Sequence, residues 1–496
     1  MSRAGAIALA AVLLGAIIGF PLGMDQGMFV HCARVLNEGG TLYVDAYDVK
    51  PPAIHSLYAM ALWLPFSPEM AVRLFEFAWN LLTCFALWQA LQAWAPTVRV
   101  SAVLVFAGIM VASGHPNTAQ PETFAALPFA ALLWAVNQPP RVRMLVYGIA
   151  GGLAIGLKPT MALAGIPLLL LERSRLPMSS LFVVPVLAML TAGVTVVPVL
   201  VQPDGLDALR LMVEAQVAFG ASTDGGAHGL TNSLVSIVRW FSLSAGVSVV
   251  AAAGIAYRST SQHPLVRISA WLLISLFASV LIEHRFHPYH FLRMVVPLAV
   301  LAGIGVHNVA HAVCHRWPLA SRQWRTLTAA ALAVGLLTSC APRSIHKVYL
   351  GYCQLFGLDT YATYLASRNI EGEDITAYRE VAESVNNLQS PRPIVLSVRA
   401  GSVLPWIQEW RFSRAASTQF VTGLATPPAW IQAVRADVAQ ATLLAIDTAD
   451  VVPMLTGHHQ STLRALQSTP DVGALLSKRF AAVDTVHTFV ILIANS

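Results

Sequence analysis

One stretch, Asp25 to Pro52, carries DQGMFVHCARVLNEGGTLYVDAYDVKPP directly after a hydrophobic run of bilayer length, residues 5–23. Such a run crosses a membrane in about 20 residues, so Asp25 sits where a span meets water. A carboxylate there can take a proton from an attacking hydroxyl or amine. Asp45, Asp48 and Lys50 follow within the same loop. Farther along, Glu122, Lys158, Arg285, His287, His290 and Arg293 also fall at the ends of apolar runs or in their loops. A charge near the hydrocarbon core costs about 2.5–3.5 kcal/mol on insertion scales, so such residues line a wet cavity or pair with one another. Lys50, Lys158, Arg285 and Arg293 are donors suited to a phosphate. The acids offer a base or a metal ligand. Any one of these residues alone reads as a helix cap or an interfacial anchor; the set points to a polar substrate cavity lined by Asp25, Asp45, Asp48, Lys50, Glu122, Lys158, Arg285, His290 and Arg293.

Positioning that set calls for a membrane scaffold. Of 496 residues, 56% are hydrophobic and only 11% charged, where a soluble chain carries about 25% charged residues. Apolar runs at 5–23, 70–94, 98–113, 121–137, 142–157, 160–171, 180–202, 241–257, 265–282, 291–311 and 326–341 predict a polytopic α-helical membrane protein of about 11 spans. The segment IHSLYAMALWLPF between them is too short to span and reads as a helix lying at the interface. The net charge of +6 belongs to short loops rich in Arg, such as Arg141 with Arg143 and Arg173 with Arg175, and indicates no nucleic-acid partner. By the positive-inside bias those loops are cytoplasmic, which puts the N-terminus inside and Asp25 outside. Five cysteines include no CxxC pair and no zinc or redox motif.

The expected organisation is therefore a transmembrane domain, 1–344, with its first outer loop at 24–69, and a C-terminal outer-face α/β domain at 345–496. In the tail, runs beginning at Pro393, Ala441 and His487 read as buried strands, alternating with helices around 375–388, 428–440 and 461–480. The acidic stretch Asp204–Asp224 reads as a mobile outer loop. His287 and His290 are a weak metal pair.

Several motifs then carry a resemblance. ARVLNEGGTLYVDAYDVKPP after the first span, NTAQPETF at Asn117–Phe124, GLAIGLKPT at Gly152–Thr160 and HPYHFLRMVVP at His287–Pro297 are similar in order and spacing to the dolichyl-phosphate-mannose protein mannosyltransferase group. That group, of the GT-C class, includes bacterial aminoarabinose–lipid A transferases. The tail, with PPAWI at Pro427 and LAIDT at Leu444, is similar as well. The resemblance implies transfer of a sugar from a polyprenyl-phosphate donor to a lipid, glycan or protein acceptor at the outer face of a bacterial inner membrane. It implies that Asp25 is the base and that Lys50 contacts the donor phosphate. Many members carry Asp-Glu where this chain has Asp25-Gln26, so two carboxylates for a metal are not present there. No cofactor is assigned, and a divalent metal stays open. The competing readings are a lipid or sugar transporter (flippase), which predicts repeated halves and midplane charges, and a noncatalytic membrane scaffold.

Overall fold

The computed structural model describes residues 2–223, 230–283, 286–316, 345–358, 360–367, 375–414, 427–452, 456 and 458–495. Its first helices are α1 (Arg3–Gly15), α2 (Met24–Asn37), α3 (Pro52–Ala61), α4 (Pro68–Ala90) and α5 (Pro96–Ser113). Proline opens α3 and α5 at the first turn, where its missing N–H costs nothing and its fixed φ suits the helix. Among the described residues, by length and composition, four helices can cross a membrane: Pro68–Ala90, Pro96–Ser113, Pro264–Glu283 and Pro288–Ala312. Counting each of two bent helix pairs as one span raises the number to six.

The difference from about eleven expected spans has a local cause. Each predicted apolar run inside the described residues is helical, but several are divided. The run at 121–137 breaks between Phe124 and Ala126, and that at 160–171 begins as a 3-10 turn, Pro159–Ala164, before Gly165–Glu172. Lys158 precedes that proline and is extended (φ −158°, ψ 112°), as the residue before proline prefers. The last predicted span, 326–341, lies outside the described residues.

The chain forms two compact units. The first comprises residues 1–20, 73–195 and 228–358 and is helical. The helix Ser180–Val194 exposes Phe182, Val186, Met189 and Leu190, the apolar surface that lipid covers in a membrane protein. Inside the unit, Arg73 of α4 is fully buried. Its guanidinium donates to the carbonyl of Phe20 (3.0 Å), to Glu76 (2.7 Å) and to Thr118 Oγ1 (3.0 Å), while Glu76 accepts from the backbone N–H of Ala119 (2.7 Å). A buried ion pair survives only with its remaining hydrogen bonds satisfied. Here those bonds fix the turn that leads into Glu122.

The second unit comprises residues 21–72, 196–227 and 359–496. It holds a four-stranded sheet of β1 (Pro393–Leu396), β2 (Leu443–Asp447), β3 (Phe480–Val486) and β4 (Phe489–Ala494), in the order β1-β2-β4-β3. β1 pairs parallel with β2, and β4 pairs antiparallel with β2 and β3. Helices Ile375–Asn387, Pro428–Gln440, Thr462–Ser468 and Pro470–Arg479 accompany it. Its core includes Val395, Leu444, Ile446, Val434 and Trp430, and it continues into Cys32, Tyr43, Tyr47 and Val49 of the first loop region. Residues 205–223, expected as a mobile loop, are the helix Gly205–Thr223. Ala208 and Ala215, seven apart and so on one face, are buried in the same core.

Candidate functional site

Asp25 occupies the first turn of α2 and is half-buried. The positive end of a helix favours a carboxylate there. Close packing sets the position of that turn. A Cβ on Gly27 would lie 1.6 Å from the carbonyl oxygen of Gly401, so helix and turn touch backbone to backbone. Arg34, farther along α2, donates to the carbonyls of Leu404 (3.2 Å) and Pro405 (2.9 Å).

The loop from Gly40 to Lys50 sends its two acids into different surroundings. Asp45 Oδ2 accepts from the backbone N–H of Thr41 at 2.8 Å. It lines a cavity of about 440 Å³ with Glu38, Trp410, Arg411, Arg414 and Asp437. Two arginines of that cavity are paired, Arg411 with Glu38 (2.6 Å) and Arg414 with Asp437 (2.6 Å). Asp48 is instead buried beside His55 of α3, with Asp48 Oδ2 3.3 Å from His55 Nε2. Burial pushes the Asp48 carboxyl up to about 6; the Lys50 ammonium opposes this and the Asp25 carboxylate adds to it. Asp25, Asp48 and Lys50 thus act on one electrostatic neighbourhood. The Lys50 ammonium is partly exposed and forms no ion pair among the described residues.

Tyr43 holds this loop. Its backbone is left-handed (φ 71°), a strained conformation for an aromatic residue that persists only when its surroundings impose it. The Tyr43 hydroxyl donates to the Lys50 carbonyl (2.7 Å), and Trp430 Nε1 donates to the Tyr43 carbonyl (2.9 Å). Trp430 also stacks on Tyr47, with ring centroids 4.6 Å apart.

The remaining sequence-predicted residues belong to the first unit. Arg293 is buried and donates to both oxygens of Glu283 (2.8 and 2.9 Å), to Glu122 (3.0 Å) and to Ser279 (2.7 Å). Lys158 pairs with Glu122 and lies 2.8 Å from Glu283. His290 is 3.8 Å from Glu122 and 3.7 Å from Glu283. Two cations and two carboxylates therefore neutralise each other around a buried imidazole. Arg285 lies outside the described residues.

Among the described residues, two groups have metal-ligand atoms within 4.8 Å of one another: Cys32, Asp48 and His55; and Glu122, Glu283 and His290. A metal at the second would have to displace Lys158 and Arg293 from its carboxylates. His290 thus stands among acids. Glu283, Arg73, Glu76, Cys32 and His55 were not selected from sequence. Glu283 had a signal, since it ends an apolar run with histidines and an arginine behind it. Cys32 and His55 carried none, lying 23 residues apart on helical stretches that only the fold brings together.

No protein-family model matches the sequence, and no curated protein matches it. Solved structures do. ArnT from Cupriavidus metallidurans bound to undecaprenyl phosphate is 15% identical, with a TM-score of 0.57, covering 99% of this chain and 98% of ArnT. The apo state of the same protein gives 13% identity and a TM-score of 0.56, covering 98% and 96%. The chain has the GT-C fold. The match to ArnT covers nearly the whole of both chains.

Proposed function

We propose that the protein is a membrane glycosyltransferase. It moves a sugar from a polyprenyl-phosphate donor to an acceptor at the outer face of a bacterial inner membrane, with the N-terminus cytoplasmic and the C-terminal region periplasmic. The observation that carries this reading is the end-to-end GT-C fold shared with ArnT, one structure of which holds undecaprenyl phosphate. Apolar helices long enough to span and a polar first loop are consistent with a lipid-linked substrate. Nucleotide sugars stay in the cytoplasm, which favours a lipid-linked donor for chemistry on the other side.

In this reading Asp25 takes the proton from the acceptor hydroxyl or amine as it attacks the anomeric carbon. The lipid phosphate leaves with the bonding electrons, and Lys50 stabilises the charge that develops on it. A single displacement inverts the anomeric centre. Asp25→Asn keeps the shape of the side chain and removes its basicity. The variant is expected to insert and fold normally and to lose transfer from a radiolabelled polyprenyl-phosphate sugar. Wild-type turnover by Asp25→Asn would overturn the assignment. Mass spectrometry of outer-face glycolipids and glycoproteins in a deletion strain identifies the acceptor as the glycoform that disappears.

A further inference from the structure

The group Cys32, Asp48 and His55 has no task in the transfer just described, and its chemistry is unusual for where it lies. Cys32 comes from α2, Asp48 from the loop and His55 from α3, and all three are buried. Phe29 and Tyr43 set their rings edge-on to the imidazole, with centroids 5.6 and 6.2 Å away. Asp48 Oδ2 makes no hydrogen bond, although it approaches His55 Nε2 within 3.3 Å. Buried polar atoms are nearly always satisfied, and an exception calls for an ion or a water.

We infer that Cys32, Asp48 and His55 form a zinc site that ties α2, the first loop and α3 together. The donor set selects the metal: a thiolate, an imidazole and a carboxylate suit Zn²⁺, whereas Mg²⁺, Ca²⁺ and Mn²⁺ prefer oxygen alone. The charges balance as well. A thiolate, a carboxylate, a neutral imidazole and Zn²⁺ sum to zero, which a buried site requires. The donor atoms lie within 4.8 Å of one another, and tetrahedral zinc with bonds of about 2.0–2.3 Å needs them about 3.3–3.8 Å apart. Side-chain movements of about an ångström close that gap. On binding, the Cys32 thiol proton passes to solvent, the sulfur lone pair forms the Zn–S bond, and water takes the fourth position. The site lies seven residues from Asp25 and two from Lys50, and would fix the spacing of both.

The inference does not rest on glycosyl transfer, and its test reads metal directly. Full-length protein purified in detergent is expected to carry about one zinc per chain by elemental analysis. After chelation, Co²⁺ should restore a thiolate-to-cobalt charge-transfer absorption. That absorption should vanish in Cys32→Ser, weaken at least tenfold in apparent affinity in His55→Ala, and persist in Cys84→Ser. Absence of zinc and of cobalt binding in the wild type overturns the site, as does an absorption unchanged in Cys32→Ser. If the Cys32 and His55 variants fail to fold, the wild-type cobalt spectrum decides: no thiolate band, no site.

Discussion

At the scale of single residues, the cations named from sequence divide by their partners. Lys158 and Arg293 are committed to Glu122 and Glu283, whereas Lys50 makes no ion pair among the described residues and can meet an incoming anion. Lys50→Ala is therefore expected to raise the donor KM about 30-fold, the effect of one charge-assisted contact of about 2 kcal/mol. Steady-state kinetics at varied donor checks it, and an unchanged KM moves the phosphate role elsewhere. A second residue gives a pH signature. Asp447 is buried, and burial, with Asp450 nearby, pushes its carboxyl up to about 6. The folded state then holds the proton more tightly than the unfolded chain does. Its stabilisation is complete below the ordinary carboxyl value and is lost as pH rises through about 6. Asp447→Asn removes the buried charge, so its stability should exceed wild type at about pH 8 by up to about 3 kcal/mol, with a higher Tm, and converge with it near about pH 4. Calorimetry at the two pH values measures this.

At the scale of elements, the contact between α2 and the turn at Gly401 carries the position of Asp25. Gly27→Ala brings a methyl into a carbonyl oxygen 1.6 Å from its ideal place, and one element must shift. A loss of about 1–3 kcal/mol or more is expected, with transfer activity falling although no reacting group is altered. Thermal unfolding alongside turnover tests both effects. Elements differ in how legible they were. The runs at Pro393 and Leu443 were readable because strands covered on both sides are continuously apolar, and that at Phe489 because it is apolar throughout although only Phe489 and Ile491 are fully buried. β3 was not: Ala481 to Thr485 are exposed, so that strand carries no burial pattern to read. The helix Gly205–Thr223 was hidden behind its acidic, glycine-flanked sequence, since its buried face rests on two alanines. Among the candidate site residues, charge at the ends of spans revealed Asp25, Lys50, Glu122 and Lys158. Glu122 is neutralised by Lys158, 36 residues away, and by Arg293, 171 residues away, and local pattern holds no information about such pairs.

At the scale of the whole molecule, the proposed topology puts the C-terminus outside the cytoplasm. Alkaline phosphatase fused after Asn495 should be active, and a fusion in the Arg141–Arg143 loop silent; the reverse result would invert the orientation. The Tyr43–Trp430 contact adds a consequence in time. Trp430 is synthesised 387 residues after Tyr43, about 20–80 s later at about 5–20 residues per second. Until then the strained turn that carries Lys50 lacks the partner that imposes it. A nascent or truncated chain can be fully threaded into the membrane and still have no formed first loop. The first loop is thus completed only when translation is nearly finished.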